Sequence, residues 1–569
     1  MPKNRRRKGR GLRRFIRILI VLVIVLGLFV VYFSWDTNLE PPDVAEKTLL
    51  IQQRLNPSSN FYKFNNNILQ QNEDGLWEMY LEGKPFEMGV ANGKLTKELI
   101  KIQEDAFVDQ INKLVPSKVW LKFLKYFIGW FNRDIDEHIP IEYQKEIYGI
   151  SYSAADGYEY IGNNYERMLN YHAAHDIGHA LKDLALVGCT SFAGNLKSGD
   201  SSLIIGRNFD FYINDAFAKN KIVAFVNPEK GHKFMYVTWA SMIGVVSGMN
   251  DAGLTVTINA AKSDIPTAAA TPISLLAREI LQYAGNIEEA ILIAEKRKTF
   301  VSESILIGSA ADNNVVIIEK SPTKQGLFQT TNDYLVCSNH FQSEVFANDK
   351  NNQEYIEESA SLYRQKRCEQ LILEKDSLNY LNSAAILRDR KGMDGENIGI
   401  GNEKTMAQMI SHHSVIFLPL KREVWVSVAP YQLGKYVAYN LDSVFSNFPN
   451  LTASRQICDT TLVIANDPFL YSPAYMQFNK YKALRIKIAK TIKEGSRLRQ
   501  EDEFIKQLTS LNADYFQGYM LAGDYYYGLQ EYEKAEVFYN ISLTKEFENL
   551  LLRRIVNERL NEIKERKEN

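Results

Sequence analysis

The sequence predicts an α+β protein in which a strand-rich centre is flanked by helical segments. Three observations carry this. Short β-rich runs recur from Gly188 to about Leu441, among them Ser202–Ile205, Leu254–Ile258, Val315–Ile318 and Val424–Val428. Helical patterns interrupt them at Pro272–Ala284, Ile287–Arg297 and Ser361–Leu373. Strands in blocks, broken by helices, suggest layers and not a strictly alternating βαβ chain. The third observation is helical periodicity on both sides of this region.

The chain has 569 residues, with 67 Lys and Arg against 68 Asp and Glu and a net charge of −1. Hydrophobic residues make up 45% and charged residues 24%, which excludes a disordered or fibrous chain. Nine basic residues fall in the first 17 positions, leaving 58 basic and 68 acidic residues, a net −10, in the remainder. An acidic body argues against a nucleic-acid partner. Four cysteines are too few for a disulfide scaffold.

Taken in order, 1–17 reads as a basic cytoplasmic tail. Ile18–Trp35, uncharged and rich in Leu, Ile and Val, reads as an uncleaved transmembrane helix. The positive flank would then place the catalytic body outside the cytoplasm as a single-pass protein. Residues 36–80, with Pro41-Pro42, read as a tether. Residues 81–188 read as a helical segment opened by Gly83-Lys84-Pro85-Phe86-Glu87-Met88-Gly89, with Leu95, Leu99, Ile102, Ala106 and Ile111 on one face. Residues 189–445 hold the strand-rich body. In 446–569, Gly523, Tyr526, Ala535, Tyr539 and Ser542 follow the spacing of one tetratricopeptide repeat, which leaves two readings: a helical hairpin packed on the body, or a docking module for a protein partner.

Phosphate-binding loops, the G-x-S-x-G elbow, H-E-x-x-H and C-x-x-C are absent. Gly399-Ile400-Gly401 lacks the third glycine of a dinucleotide fingerprint, and no cofactor is expected. His172, His175 and His179 would share a helix face at metal-ligand spacing, but Gly178 weakens that helix, and a packed face is the preferred reading over a metal site. The constellation that remains is Gly188-Cys189-Thr190-Ser191, followed by Gly206-Arg207-Asn208-Phe209-Asp210. Thr190–Gly194 and Ser201–Asn208 read as a β-hairpin turning at Lys197-Ser198-Gly199-Asp200, which folds Arg207 and Asp210 back beside Cys189. A guanidinium there would lower the thiol pKa.

These motifs, in their order, resemble the N-terminal nucleophile hydrolases of the choloylglycine hydrolase and penicillin acyltransferase group, peptidase family C45. The resemblance includes the glycine-punctuated Gly83–Gly93, Gly188-Cys189-Thr190, Gly206–Asp210, Gly248–Leu254 with Ile258-Asn259, Ser338-Asn339-His340-Phe341 and Ser361-Leu362-Tyr363-Arg364. It implies a four-layer αββα sandwich and autocleavage between Gly188 and Cys189. Cys189 would then be the nucleophile and its new α-amine the general base. Asp210 would hold that amine, Arg207 flank the thiol and Asn259 bind the oxyanion, with Asn339 and Arg364 as further site residues. No metal is needed. The substrate is expected to be a non-peptide N-acyl amide, with water, an amine or an acyl-CoA as the other reactant, and the cleaved pieces are expected to remain a heterodimer. Asn250 and His340 are expected to be structural, and Arg364 competes with Arg367. Cys337 and Cys368 could pair under oxidising conditions. Two other classes compete: a tethered scaffold with an inert enzyme-like domain, and a papain-like hydrolase using Cys189 with His340.

Overall fold

The computed structural model describes residues 39–45, 47–114, 132–180, 186–194, 203–212, 217–264 and 269–568. Among them, two large antiparallel-dominated sheets face one another. The first has eleven strands, in spatial order Leu55–Ser58, Phe61–Phe64, Asn67–Gln71, Trp77–Gly83, Ile222–Pro228, Phe234–Thr238, Ser247–Asn250, Leu254–Ala260, Glu303–Ser309, Asn314–Lys320 and Gln325–Phe328. The second has seven: Tyr334–Cys337, Thr190–Gly194, Ile204–Phe209, His413–Leu418, Glu423–Ser427, Tyr436–Asn440 and Asp459–Ile464. In the first sheet Trp77–Gly83 and Ile222–Pro228 pair in parallel. Parallel neighbours need a crossover, and the chain between them carries the strands around Cys189 into the second sheet.

Period-two alternation builds the layers. Ile205, Val415, Phe417, Val424 and Val426 point between the sheets and meet Val223, Phe225, Met235 and Leu306 of the first sheet. Their neighbours Ile204, Ile416 and Trp425 face outward onto Ser361–Leu373 and Tyr380–Leu387. The outer face of the first sheet is covered by helices Pro85–Leu95, Ile141–Ser151, Asn164–Ala180 and Ile273–Tyr283. This is the expected αββα sandwich. Gly89 has a packing role: a Cβ there would overlap the Glu146 carbonyl, so glycine lets helices Pro85–Leu95 and Ile141–Ser151 touch backbone to backbone.

The membrane element of the expected fold is corrected. Ile18–Trp35 lies outside the described residues, and among the described residues no helix is long and apolar enough to cross a membrane. The longest, Pro473–Lys493, carries Lys480, Lys482, Arg485, Lys487, Lys490 and Lys493. The transmembrane topology and the extracytoplasmic placement built on it are therefore dropped. The tether reading of 36–80 is corrected as well, because four strands between Leu55 and Gly83 form one edge of the large sheet. Ile102 is exposed, and Ile100 supplies the buried position on its helix.

After the body, five helices from Pro473 to Glu568 build their own core around Phe478, Ile488, Tyr526 and Tyr539. Ala535, Tyr539 and Ser542 are buried in the Phe516–Gly528 and Tyr532–Leu543 hairpin. Residues flanking the hairpin tie this helical segment to the body. Asn512 Nδ2 donates to Ile400 O at 2.8 Å, and Asn402 Nδ2 donates to Glu546 O at 3.1 Å.

Candidate active site

The hairpin read from the sequence sets the first distances. Thr190–Gly194 pairs antiparallel with Ile204–Phe209, Thr190 opposite Asn208 and Ser191 opposite Arg207. Register therefore fixes Arg207 beside the start of the first strand, and its Nη2 donates to Cys189 Sγ at 3.7 Å. The same guanidinium donates to the carbonyls of Val246 and Ile258 and to Ser247 Oγ. It is held by the interior strands Ser247–Asn250 and Leu254–Ala260 of the opposite sheet and the residue just before them, and stacks at 4.4 Å on the Phe209 ring. Ser247 Oγ in turn lies 2.8 Å from His413 Nε2.

Cys189 is fully buried in the uncut chain. Burial pushes its thiol up to about 11, and the Arg207 cation opposes this without overcoming it. The expected lowering by Arg207 is thus outweighed by desolvation. Asp210 is buried too. Loss of water raises its carboxyl to about 7, opposed by the Ser411 hydrogen bond and by the Arg364 and Arg207 charges. Ser411 Oγ donates to Asp210 Oδ1, and Gln408 Nε2 lies 3.4 Å from Oδ2. The Asp210 main-chain oxygen accepts from Gly188 N at 3.0 Å and lies 4.0 Å from Cys189 Sγ.

Asn259, on the strand Leu254–Ala260, bridges the sheets. Its Oδ1 accepts from Ser191 Oγ at 2.9 Å, and its amide donates to the carbonyls of Cys337 at 2.9 Å and Ser338 at 3.3 Å. An amide has two hydrogens, so both are committed in the uncut chain. Oxyanion donation by Asn259 would require one of these bonds to open. Asn339 Nδ2 donates to Ala260 O at 2.9 Å, and Arg364 Nη2 donates to Asn339 Oδ1 at 2.5 Å. Arg364 also reaches Thr190 Oγ1 at 3.2 Å and Glu403 O at 2.9 Å. Arg367, its competitor, points instead to an ion pair with Asp389 at 3.0 Å.

The structural readings of other residues are explicit. Asn250 caps a turn, accepting from the Ala252 and Leu254 amides at 3.1 and 2.9 Å. His340 Nδ1 lies 2.7 Å from Ser361 Oγ, whereas Cys189 Sγ has guanidinium and carbonyl partners. Both ring nitrogens of His172 are used by backbone, Nδ1 with Met168 O at 2.7 Å and Nε2 accepting from Ile243 N at 2.9 Å. This leaves no lone pair for a metal; the side chains of His175 and His179 lie outside the described residues. Cys337 and Cys368 are free thiols. They belong to cores on opposite faces of the second sheet, which corrects the idea that they pair.

Gln408, Ser411, Ser247 and His413 were not foreseen. The signal available was a polar run, Gln408, Ser411, His412 and His413, leading into the strand His413–Leu418. Only the fold reveals that all four are buried.

Residues 196–430 match the family model of acyl-coenzyme A:6-aminopenicillanic acid acyl-transferase. This bears out the acyltransferase side of the resemblance carried by the motifs: residues 196–430 are similar to that acyl-transferase family. Cys189 lies before the first matched residue. Among curated proteins, an uncharacterized protein of Archaeoglobus fulgidus is 25% identical over 258 residues, 41% of each chain. Protein dcd1B of Dictyostelium discoideum is 22% identical over 262 residues, 43% of this chain and 50% of that one. The match thus spans half or less of these relatives' length. Among solved structures, the Caenorhabditis elegans ortholog of N-acylethanolamine-hydrolyzing acid amidase aligns at 17% identity and TM-score 0.30, over 41% of this chain and 93% of that one. A variant of conjugated bile acid hydrolase from Clostridium perfringens aligns at 12% identity and TM-score 0.32, over 47% and 97%.

Proposed function

We propose that this chain is a cysteine amidohydrolase or acyltransferase that activates itself by cutting between Gly188 and Cys189. The observation that carries the reading is the buried cluster of Arg207, Asp210 and Gln408 around that one peptide bond, in a chain matching an acyl-transferase family model. Cleavage would expose the α-amine of Cys189, whose ordinary pKa near 8 suits a general base at neutral pH. Asp210 would hold that amine. The Cys189 sulfur would then attack the carbonyl of a non-peptide N-acyl amide, release the amine and leave a thioester. Water or a second amine would take the acyl group. Arg207 would steady the thiolate, and Arg364 with Asn339 would keep the strand around Thr190 in place.

The site's position supports a two-piece enzyme. The upstream piece supplies four strands and the helices Pro85–Leu95 and Ile141–Ser151 to a core shared with the downstream piece. The pieces would therefore stay together without a covalent link.

The test is amine release from a panel of N-acyl amides of graded acyl length, with hydroxylamine present to trap a thioester. The wild type is expected to release amine and yield acyl hydroxamate, and Cys189→Ala is expected to do neither. Undiminished amine release by Cys189→Ala would end the proposal.

A further inference from the structure

We propose that Gln408 is the catalytic hydrogen-bond donor for self-cleavage, its carboxamide holding the charge that develops on the Gly188 carbonyl oxygen. The inference rests on the processing reading given above and assigns a residue to its first chemical step.

Three observations carry it. Gln408 Nε2 donates to the Gly188 oxygen at 2.5 Å, and that oxygen belongs to the peptide bond to be cut. The second partner of the same nitrogen is Asp210 Oδ2 at 3.4 Å. The Gly188 carbonyl can only accept, so the amide must present its N–H₂ group here, because a flipped amide would set oxygen against oxygen. Finally, a Cβ on Gly188 would overlap the Gln408 carboxamide. Glycine before the cysteine leaves the room this amide needs.

The peptide is fixed on its other side as well. Gly188 N donates to Asp210 O at 3.0 Å, and Arg207 Nη2 lies 3.7 Å from the sulfur. In the step itself, the bond from Cys189 Sγ to the Gly188 carbonyl carbon forms and the thiol proton departs. The electron pair of the carbonyl moves onto oxygen, where the Gln408 N–H awaits it. Collapse breaks the bond from Gly188 carbon to Cys189 nitrogen, and the nitrogen takes up a proton. The net change is a proton moved from sulfur to nitrogen and an ester on sulfur. One water then cleaves that thioester, giving the Gly188 carboxyl group and the free Cys189 thiol. A preorganised donor at such an oxygen is worth more in a dry site than in water, since it needs no reorganisation. Gln408 lies between the Glu403 loop and the strand His413–Leu418, in the segment whose Ser411 donates to Asp210.

The experiment follows cleavage of freshly translated full-length chain by gel and intact mass. Gln408→Met, similar in length but without a donor, is expected to cut about 10²- to 10³-fold more slowly. Gly188→Ala, which displaces the same amide without altering Gln408, is expected to slow in the same direction. Circular dichroism and melting confirm that each chain is folded. A folded Gln408→Met chain that cuts within threefold of wild type overturns the inference. Should Gln408→Met not fold, Gln408→Glu replaces it, since its carboxyl donates only while protonated. Its cleavage is expected to quicken as pH falls, with the midpoint held above the ordinary carboxyl range by burial and by Asp210 beside it, and a wild-type rate independent of pH overturns the inference. A wild-type chain that never cuts would instead remove the processing reading itself, so the two failures are distinct.

Discussion

Asp210→Asn should make the fold more stable and the enzyme worse, and the stability effect should depend on pH. Burial raises the Asp210 carboxyl from 3.8 to about 7. A pKa raised in the folded state means that folding favours the protonated form. The contribution is fully present below the unfolded value, 3.8, and is lost as pH rises through about 7. Three units at about 1.4 kcal/mol each give about 4 kcal/mol of penalty on the ionised form above pH 7. Asparagine keeps the shape and can still accept from Ser411, which donates to Oδ1, but it carries no charge to desolvate. In a Cys189→Ala background, so that every chain is uncut, denaturant melts of Asp210→Asn and its parent should nearly coincide close to pH 4. They should separate by up to about 4 kcal/mol, the variant being more stable, near pH 8. With Cys189 restored, the variant should lose about 10²- to 10⁴-fold in turnover, because the amine is no longer held by a carboxylate. A gap between the melts that does not change with pH would refute the desolvation argument. Near wild-type turnover would refute the role of Asp210.

Other outcomes follow from the same structure. Burial lowers His172 to about 4; a depressed value gives stability that is present above the unfolded pKa and lost as pH falls, so the advantage of the parent over His172→Gln should shrink by about 2 kcal/mol between about pH 7 and 5 in paired melts. Arg364→Met should cost about 2–3 kcal/mol of stability, since it strands Asn339 Oδ1 and the Glu403 carbonyl in a buried site. Arg367→Met should leave amine release close to wild type, because that side chain is spent on Asp389. The two cleavage products should co-purify through a high-salt wash and part only in denaturant. Trp77–Gly83 and Ile222–Pro228 are paired across them along seven registered positions, and apolar packing is little screened by salt.

The hairpin was legible because its information is local. Two β-rich runs around a polar turn fix Arg207 opposite Ser191, and Asp210 follows one residue beyond the return strand Ile204–Phe209. The identity of Arg364 over Arg367 was not legible, because both lie on one helix and only packing decides which enters the site. Gln408 was out of reach for a related reason. It meets Asp210 across 198 positions of sequence, and nothing local marks it as buried. The strands Phe61–Phe64 and Asn67–Gln71 are not evident in the sequence although Asn65-Asn66 and Asp74-Gly75 are turn signals, because each strand is four or five residues long. The thiol pKa was misjudged for a physical reason: the sequence displays the cation beside Cys189 but hides the desolvation that outweighs it.

The central claim is that Cys189 becomes a chain end, and the most direct measurement is intact mass with N-terminal sequencing of the purified protein. The account predicts that the 65.2 kDa chain appears as two pieces of roughly 22 and 44 kDa by length proportion. The larger should begin Cys189-Thr190-Ser191, and Cys189→Ala should remain whole. An active wild-type chain of full mass, with no terminus at Cys189, would contradict it.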